Sequence, residues 1–96
     1  MANKTTREEI KREARQFILT EFLQGEDPAM LHDDTPLISG GILDSIGTVR
    51  LVTYLEKRFD IKISQQEVSL VYLDTLELVA NTVESKIETR LATESE

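Results

Sequence analysis

Gly40-Gly41-Ile42-Leu43-Asp44-Ser45-Ile46 is the stretch around which this 96-residue chain is organised. Two glycines loosen the backbone and an apolar pair follows. Asp44 and Ser45 then open an apolar-periodic segment that runs from Ile46 through Val49, Leu51, Val52 and Leu55 to Phe59. That spacing predicts a helix from Ser45 to about Arg58, buried on one side. Asp is a favoured helix N-cap because its carboxylate accepts the unpaired N–H groups of the first turn. Ser45 is then the first helical residue, with its hydroxyl facing outward. Free N–H groups and the helix dipole favour negative charge at an N-terminus, so Ser45 is a suitable place to attach an anion covalently. Gly47 costs the helix about 1 kcal/mol relative to Ala. It either clears room for a partner or an attached arm, or is simply tolerated.

Upstream, Thr5 and Thr6 each have a Glu three residues later, Glu8 and Glu9, so either can open a first helix with a capping box. Ile10, Ala14, Phe17, Ile18 and Phe22 recur at helical spacing as its buried stripe. Lys11, Arg12, Arg15 and Gln16 fall mostly on the other face and read as solvated, with Gly25 as the stop. Residues 25–43 form a long loop that Pro28 and Pro36 keep from being one helix. Met30, Leu31, Leu37, Ile38, Ile42 and Leu43 are expected to pin it to the core. A calcium loop over Asp33 to Asp44 is excluded, because Leu37 stands where an oxygen ligand is needed and Ile38 where the sharp turn wants Gly.

Downstream, Asp60-Ile61-Lys62-Ile63 alternates and reads as extended. Ser64 with Glu67 predicts another capping box and a short third helix over about residues 65–71, burying Val68 and Val71. Asp74 with Glu77 predicts the cap of a fourth helix, whose stripe is Leu76, Val79, Ala80, Val83, Ile87 and Leu91. Residues 92–96 are expected to fray. The fold class is therefore all-α: a small antiparallel helical bundle of three main helices plus one short helix. One domain spans residues 1–96, ordered over about 5–91.

Composition narrows the function. Cysteine is absent, so the protein supplies no thiol of its own, and a reducing cytoplasm is the expected compartment. His32, the only histidine, is expected to be an exposed loop residue, and with no Cys beside it a transition-metal site is not expected. A net charge of −7 disfavours contact with nucleic-acid phosphate. Residues 25–44 concentrate the acidity, with five acids and no Lys or Arg. No apolar run reaches the length of a membrane span, and the N-terminus lacks the apolar region of a signal peptide. A monomer is the default expectation.

The run Asp44-Ser45-Ile46-Gly47-Thr48-Val49-Arg50-Leu51-Val52 resembles the modification site of acyl carrier proteins. The resemblance extends to Leu55-Glu56, Phe59, Ile61, Ile63 and Asp74-Thr75-Leu76, and upstream to Asp33-Asp34-Thr35-Pro36-Leu37-Ile38. It covers residues 6 to 91 without a large gap, and the family has the same bundle layout. It implies that Ser45 carries 4′-phosphopantetheine through a phosphodiester, with cargo held as a thioester on the arm. A phosphopantetheinyl transferase would install the arm from coenzyme A with Mg²⁺. An acyl- or aminoacyl-loading ligase and acyltransferase or synthase enzymes would be the further partners. Asp44 would be cap and part of the recognised motif, and Ile46 an apolar recognition contact. Val49, Leu55, Val68, Leu76 and Val79 are candidate walls of a cargo shelter between the helices.

The chain departs from the carriers of fatty-acid synthesis, whose second helix is typically acidic. Here that helix bears Arg50, Lys57 and Arg58 against Glu56, and Gly47 and Arg50 occupy positions often acidic in those relatives. A specialised lipid, polyketide or aminoacyl-transfer pathway is expected instead of housekeeping fatty acid biosynthesis. Peptidyl carriers commonly place glycines directly ahead of the residue before the serine. Gly40 and Gly41 lie three residues further back, which favours acyl cargo while leaving a single amino acid open. Two other classes stand against the carrier. A non-catalytic helical interaction module predicts that Ser45 stays unmodified. An enzyme finds no support: one His, no Cys, no Ser-His-acid constellation and no phosphate-cradling loop.

Overall fold

The computed structural model describes residues 5–94, with side chains through residue 90. Four helices follow one another: α1 (Arg7–Phe22), α2 (Ser45–Phe59), the single-turn α3 (Leu70–Leu73) and α4 (Leu76–Glu94). Short 3₁₀ turns at Pro28–Met30 and Gln65–Glu67 punctuate the connections. The described residues contain no strand. The all-α bundle of three main helices and a short one is thus the fold observed.

Each of the three long helices starts where a side chain satisfies an open N–H group, whereas Ser69 makes no such bond at the start of α3. Thr6 Oγ1 accepts from the Glu9 N–H at 3.1 Å, while the Glu9 carboxylate reaches Arg58 instead of closing the box. The Ser64–Glu67 box forms, on the 3₁₀ turn. Asp74 does not cap α4. Thr75 does, its hydroxyl accepting from the Leu78 N–H at 3.1 Å. The Glu77 N–H finds the Asp33 carbonyl at 3.2 Å, and the Asp74 carboxylate is left to serve elsewhere. At its far end α2 turns through Asp60 in the left-handed region (φ 57°). Arg90 of α4 donates to the carbonyls of Phe59 and Asp60 at 3.0 and 2.9 Å, a cation where the helix dipole favours one.

Direction follows from the pairings. Glu21 and Glu13 of α1 meet Arg50 and Arg58 of α2, so these two helices run oppositely. Arg7 reaches Glu84 while Lys11 reaches Glu77, so α4 also runs against α1. Helices α2 and α4 therefore run the same way, and the segment from Ile61 to Leu73 must carry the chain back along the bundle. Ile61 and Ile63 anchor it, both buried. The core is Ile10, Ala14 and Ile18 of α1, Leu51 and Leu55 of α2, and Leu76, Val79, Ala80 and Val83 of α4, all wholly buried. Burying each large aliphatic side chain contributes about 1.5–3 kcal/mol before entropy is counted.

Several expectations are corrected. Ile46 and Val49 head the apolar run of α2 but are 73% and 58% exposed, and Thr48 takes the inner position. Met30 is 58% exposed, so Leu31 and Leu37 pin the loop. The third helix is not continuous over 65–71. Ser69 adopts an extended conformation between the 3₁₀ turn and α3, and this break changes the phase. Leu73 is buried in consequence, Val71 is 70% exposed, and Val68 is half-buried. Helix α1 ends at Phe22, short of Gly25, which makes the following turn at φ 84°. Lys11 is buried, its ammonium 2.9 Å from Asp33 and 3.0 Å from Glu77. Arg15 donates to the Leu31 carbonyl and lies 3.4 Å from Asp33. The basic side of α1 is thus a clamp on the loop and on α4. Fraying expected from residue 92 is not seen over 92–94, where α4 continues to Glu94, while residues 95–96 and the side chain of Leu91 lie outside what the structure describes.

Candidate functional site

Ser45 is the first residue of α2, exposed, and its hydroxyl has no hydrogen-bond partner among the described residues. Its position is set by Asp44, whose Oδ1 accepts from the Gly47 N–H at 2.7 Å. The Asp44 carbonyl accepts from the Thr48 N–H and from Thr48 Oγ1, each at 2.8 Å. A cap of this kind stabilises a helix by about 1 kcal/mol. The N–H groups of Ser45 and Ile46 have no carbonyl to bind inside the helix and remain available.

Gly47 has a definite steric role. A Cβ there would stand 3.0 Å from Phe22 Cε1 and 3.1 Å from Asp44 Oδ1. The missing side chain lets the end of α1 pack beneath the start of α2 while the cap stays closed. Neither clearance for a partner nor mere tolerance is needed to account for it.

The loop before Ser45 is tightly folded. A Cβ on Gly40 would meet the Pro36 carbonyl oxygen at 2.3 Å, so only Gly fits this approach. The Leu43 N–H donates to the Leu37 carbonyl at 2.8 Å, closing the loop, and both side chains are buried. Asp74, from the α3–α4 junction, accepts from the N–H groups of Ile38 and Ser39 at 2.8 and 2.9 Å and from Ser39 Oγ at 2.7 Å. Partial burial pushes the Asp74 carboxyl up, and these hydrogen bonds outweigh it, holding the group below its ordinary value.

Beside Ser45 an open groove of about 720 Å³ runs between Ile38 and Leu43 of the loop, Thr48 and Val49 of α2, and Val68 and Leu70 ahead of and within α3. Of the expected shelter walls, Val49 and Val68 line it. Leu55, Leu76 and Val79 do not: they are wholly buried in the core.

Two of the three cations of α2 are engaged within the chain, while Lys57 is exposed. Arg50 pairs with Glu21 and lies 5.4 Å over the Phe22 ring. Arg58 lies 3.4 Å from Glu13 and 3.5 Å from Glu9, and stacks over Phe59. The Arg58 hydrogen bond holds the Glu13 carboxyl below its usual range. Exposed apolar side chains stand beside Ser45: Ile46 next to it in the chain, and Val49 and Leu70 in the groove wall. His32 is exposed in the loop, as expected.

The sequence of residues 18–83 matches the family model described as the phosphopantetheine attachment site. This chain belongs to the phosphopantetheine-binding carrier proteins. Its relatives include the D-alanyl carrier protein of Streptococcus sanguinis (strain SK36), 39% identical over 59 residues, which cover 62% of this chain and 71% of that one. The D-alanyl carrier proteins of Streptococcus gordonii and Streptococcus thermophilus (strain LMD-9) are each 37% identical over the same lengths.

The carrier's cofactor is covalently bound phosphopantetheine. The residues fit it. An exposed hydroxyl stands at a helix N-terminus with two free N–H groups beside it, where a phosphodiester is favoured. The arm supplies the thiol that a chain without cysteine lacks. Carriers of this family work with ligases and transferases, and no described helix here is long and apolar enough to cross a membrane.

Proposed function

We propose that Ser45 is the attachment residue, and that the carrier presents an aminoacyl or acyl thioester on its arm to the enzymes of a specialised pathway. The observation that carries this reading is the exposed, unengaged Ser45 hydroxyl at the capped start of α2, inside the matched span. In the attachment step Ser45 Oγ bonds to the phosphorus nearest the pantetheine of coenzyme A. The pyrophosphate P–O bond breaks, 3′,5′-ADP leaves, and the serine proton passes to a base of the transferase. Asp44 fixes the geometry and belongs to the recognised motif, while Ile46 makes an apolar contact. The chain's own contribution is display, with turnover left to its partners, and loading from coenzyme A places this work in the cytoplasm.

On cargo, relatives named as D-alanyl carriers support a single amino acid, with D-alanine the first to test, over fatty acyl or polyketide groups. Arg50, Lys57 and Arg58 on α2 support a pathway other than housekeeping fatty-acid synthesis, because that face differs from the acidic one such enzymes meet.

The test is intact mass after incubation with coenzyme A, Mg²⁺ and a promiscuous phosphopantetheinyl transferase, with Ser45→Ala alongside. One added phosphopantetheine on the parent and none on the variant is expected. A folded parent that stays unmodified, while a control carrier reacts in the same tube, overturns the reading and leaves an interaction module with a capped helix. The loaded form is then offered to a D-alanine-activating ligase and to a fatty-acyl ligase, and preferential D-alanine thioester formation is expected.

A further inference from the structure

We propose that Asp74 is a positioning residue for the attachment step, holding the loop before Ser45 in the form that partner enzymes bind. This rests on the reading of Ser45 given above. Asp74 gathers donors from three consecutive loop residues. Its carbonyl accepts from the Leu37 N–H at 2.6 Å. Its carboxylate accepts from the Ile38 and Ser39 N–H groups and the Ser39 hydroxyl. Leu37 in turn accepts from the Leu43 N–H at 2.8 Å, and Asp44 and Ser45 follow directly. Backbone hydrogen bonds therefore lead from the Asp74 carbonyl through Leu37 to Leu43, next to Asp44, and the carboxylate fixes Ile38 and Ser39 beside them.

Asp74 also joins the two sides of the groove. It is the C-cap residue of α3, its N–H donating to the Leu70 carbonyl at 3.3 Å. Leu70 and Val68 form one wall, and Ile38 and Leu43 the other. One carboxylate thus ties the wall that carries α3 to the wall that leads into Ser45. The start of α4 does not need it, since Thr75 and the Asp33 carbonyl satisfy the N–H groups there. Placing an Asp at this junction answers the loop's three donors.

The consequence is a population effect. Without the carboxylate, residues 38–39 lose their acceptors and the loop visits other conformations. A partner that binds only the closed loop then sees its apparent affinity reduced by the fraction still closed. KM should change and kcat should not, because Ser45 and its cap are intact once the loop is seated.

The experiment measures steady-state phosphopantetheinylation of the full chain at a temperature well below unfolding, for the parent, Asp74→Ala, Asp74→Asn and Ser39→Ala. Asp74→Ala is expected to raise KM for the carrier about tenfold with kcat within about twofold, the loss of three charge-assisted hydrogen bonds, partly replaced by water, read through a population. Asp74→Asn keeps a carbonyl oxygen for both N–H groups and an amide for Ser39 Oγ, so it should restore KM to near the parent's. Ser39→Ala should raise KM by about two- to threefold, and carries the test if Asp74→Ala does not fold. Parent-like KM in Ser39→Ala together with parent-like KM or loss of folding in Asp74→Ala overturns the proposal. So does failure of Asp74→Asn to rescue a folded, impaired Asp74→Ala. A parent that accepts no phosphopantetheine fails the Ser45 reading instead, so the two failures are told apart by the parent alone.

Discussion

The ammonium of Lys11 lies 3.0 Å from Glu77 Oε2, fastening the first helix of the bundle to the last. The same ammonium lies 2.9 Å from Asp33 Oδ2 in the long loop, so three separate parts of the chain meet at one cation. Arg7 joins them, pairing with Glu77 and lying 3.2 Å from Glu84. The loop that leads towards Ser45 is held at Asp33 by this cluster and at residues 37–39 by Asp74.

Stability should fall with acid because of this cluster. The hydrogen bond from Lys11 holds the Asp33 carboxyl below its ordinary value, and those from Arg7 and Lys11 do the same for Glu77. A depressed carboxyl contributes stability above its unfolded value, about 4, and loses it as pH falls through the folded value. Glu13, Glu67 and Asp74 are depressed too and add to the same limb. Lys11 is shifted upward, so its share is complete below about 10.4 and is lost only as pH rises beyond that. Melting temperature should be flat across neutral pH, fall below about pH 4, and fall again at the alkaline extreme. In Lys11→Met the value at neutral pH should drop and the acid limb should become shallower. An unchanged acid limb in thermal scans of that variant would refute the assignment.

Gly47 should be more stable than Ala at the same position, against helix propensity. Ala gains about 1 kcal/mol in a helix interior. Here its methyl would press on Phe22 and on the capping Asp44 carboxylate, and overpacking costs about 1–3 kcal/mol. The net expectation for Gly47→Ala is a loss of roughly 1 kcal/mol. In a Phe22→Ala background the ring is gone, and Gly47→Ala should become neutral or stabilising. Denaturant melts of the four proteins measure this coupling. Additive effects would show that the Phe22 contact is not what keeps residue 47 small.

Much of this was legible in the sequence, and the misses share a cause. The periodicity of Leu51, Val52, Leu55 and Phe59 and of Leu76, Val79, Ala80 and Val83 located α2 and α4 and their buried faces. Asp44 announced its cap because capping is local, spanning three residues. Ile46 and Val49 misled because apolar side chains on two faces of one helix leave its phase ambiguous. Lys11 read as solvated because its partners stand 22 and 66 positions away. Asp74 read as a helix cap because the Asp-to-Glu spacing fits a box locally, while its actual donors lie 35 and 36 positions upstream. Local patterns give elements and caps; contacts closed by the fold have no local signature.

The exposed apolar residues beside Ser45 should matter for partners and not for stability. Ile46 and Val49 are 73% and 58% exposed on the face that any enzyme reaching Ser45 must cover. Truncating such a residue in a free protein changes stability by less than about 0.5 kcal/mol. Truncating an apolar anchor in an interface costs about 1–2 kcal/mol, near tenfold in affinity. Ile46→Ala and Val49→Ala should therefore melt like the parent while raising KM in the phosphopantetheinyl transferase reaction. Leu51, on the opposite side of the same helix and wholly buried, should do the reverse. Leu51→Ala should lose about 2–5 kcal/mol of stability while the fraction that remains folded is modified with the parent's KM. Because Arg50 and Arg58 are already held by Glu21, Glu9 and Glu13, which leaves Lys57 alone among the α2 cations without an ion pair among the described residues, the KM of the parent should also change little with salt. A steep salt dependence, or parent-like KM in both Ile46→Ala and Val49→Ala, would show that partners read charge elsewhere on the molecule and not the apolar rim of Ser45.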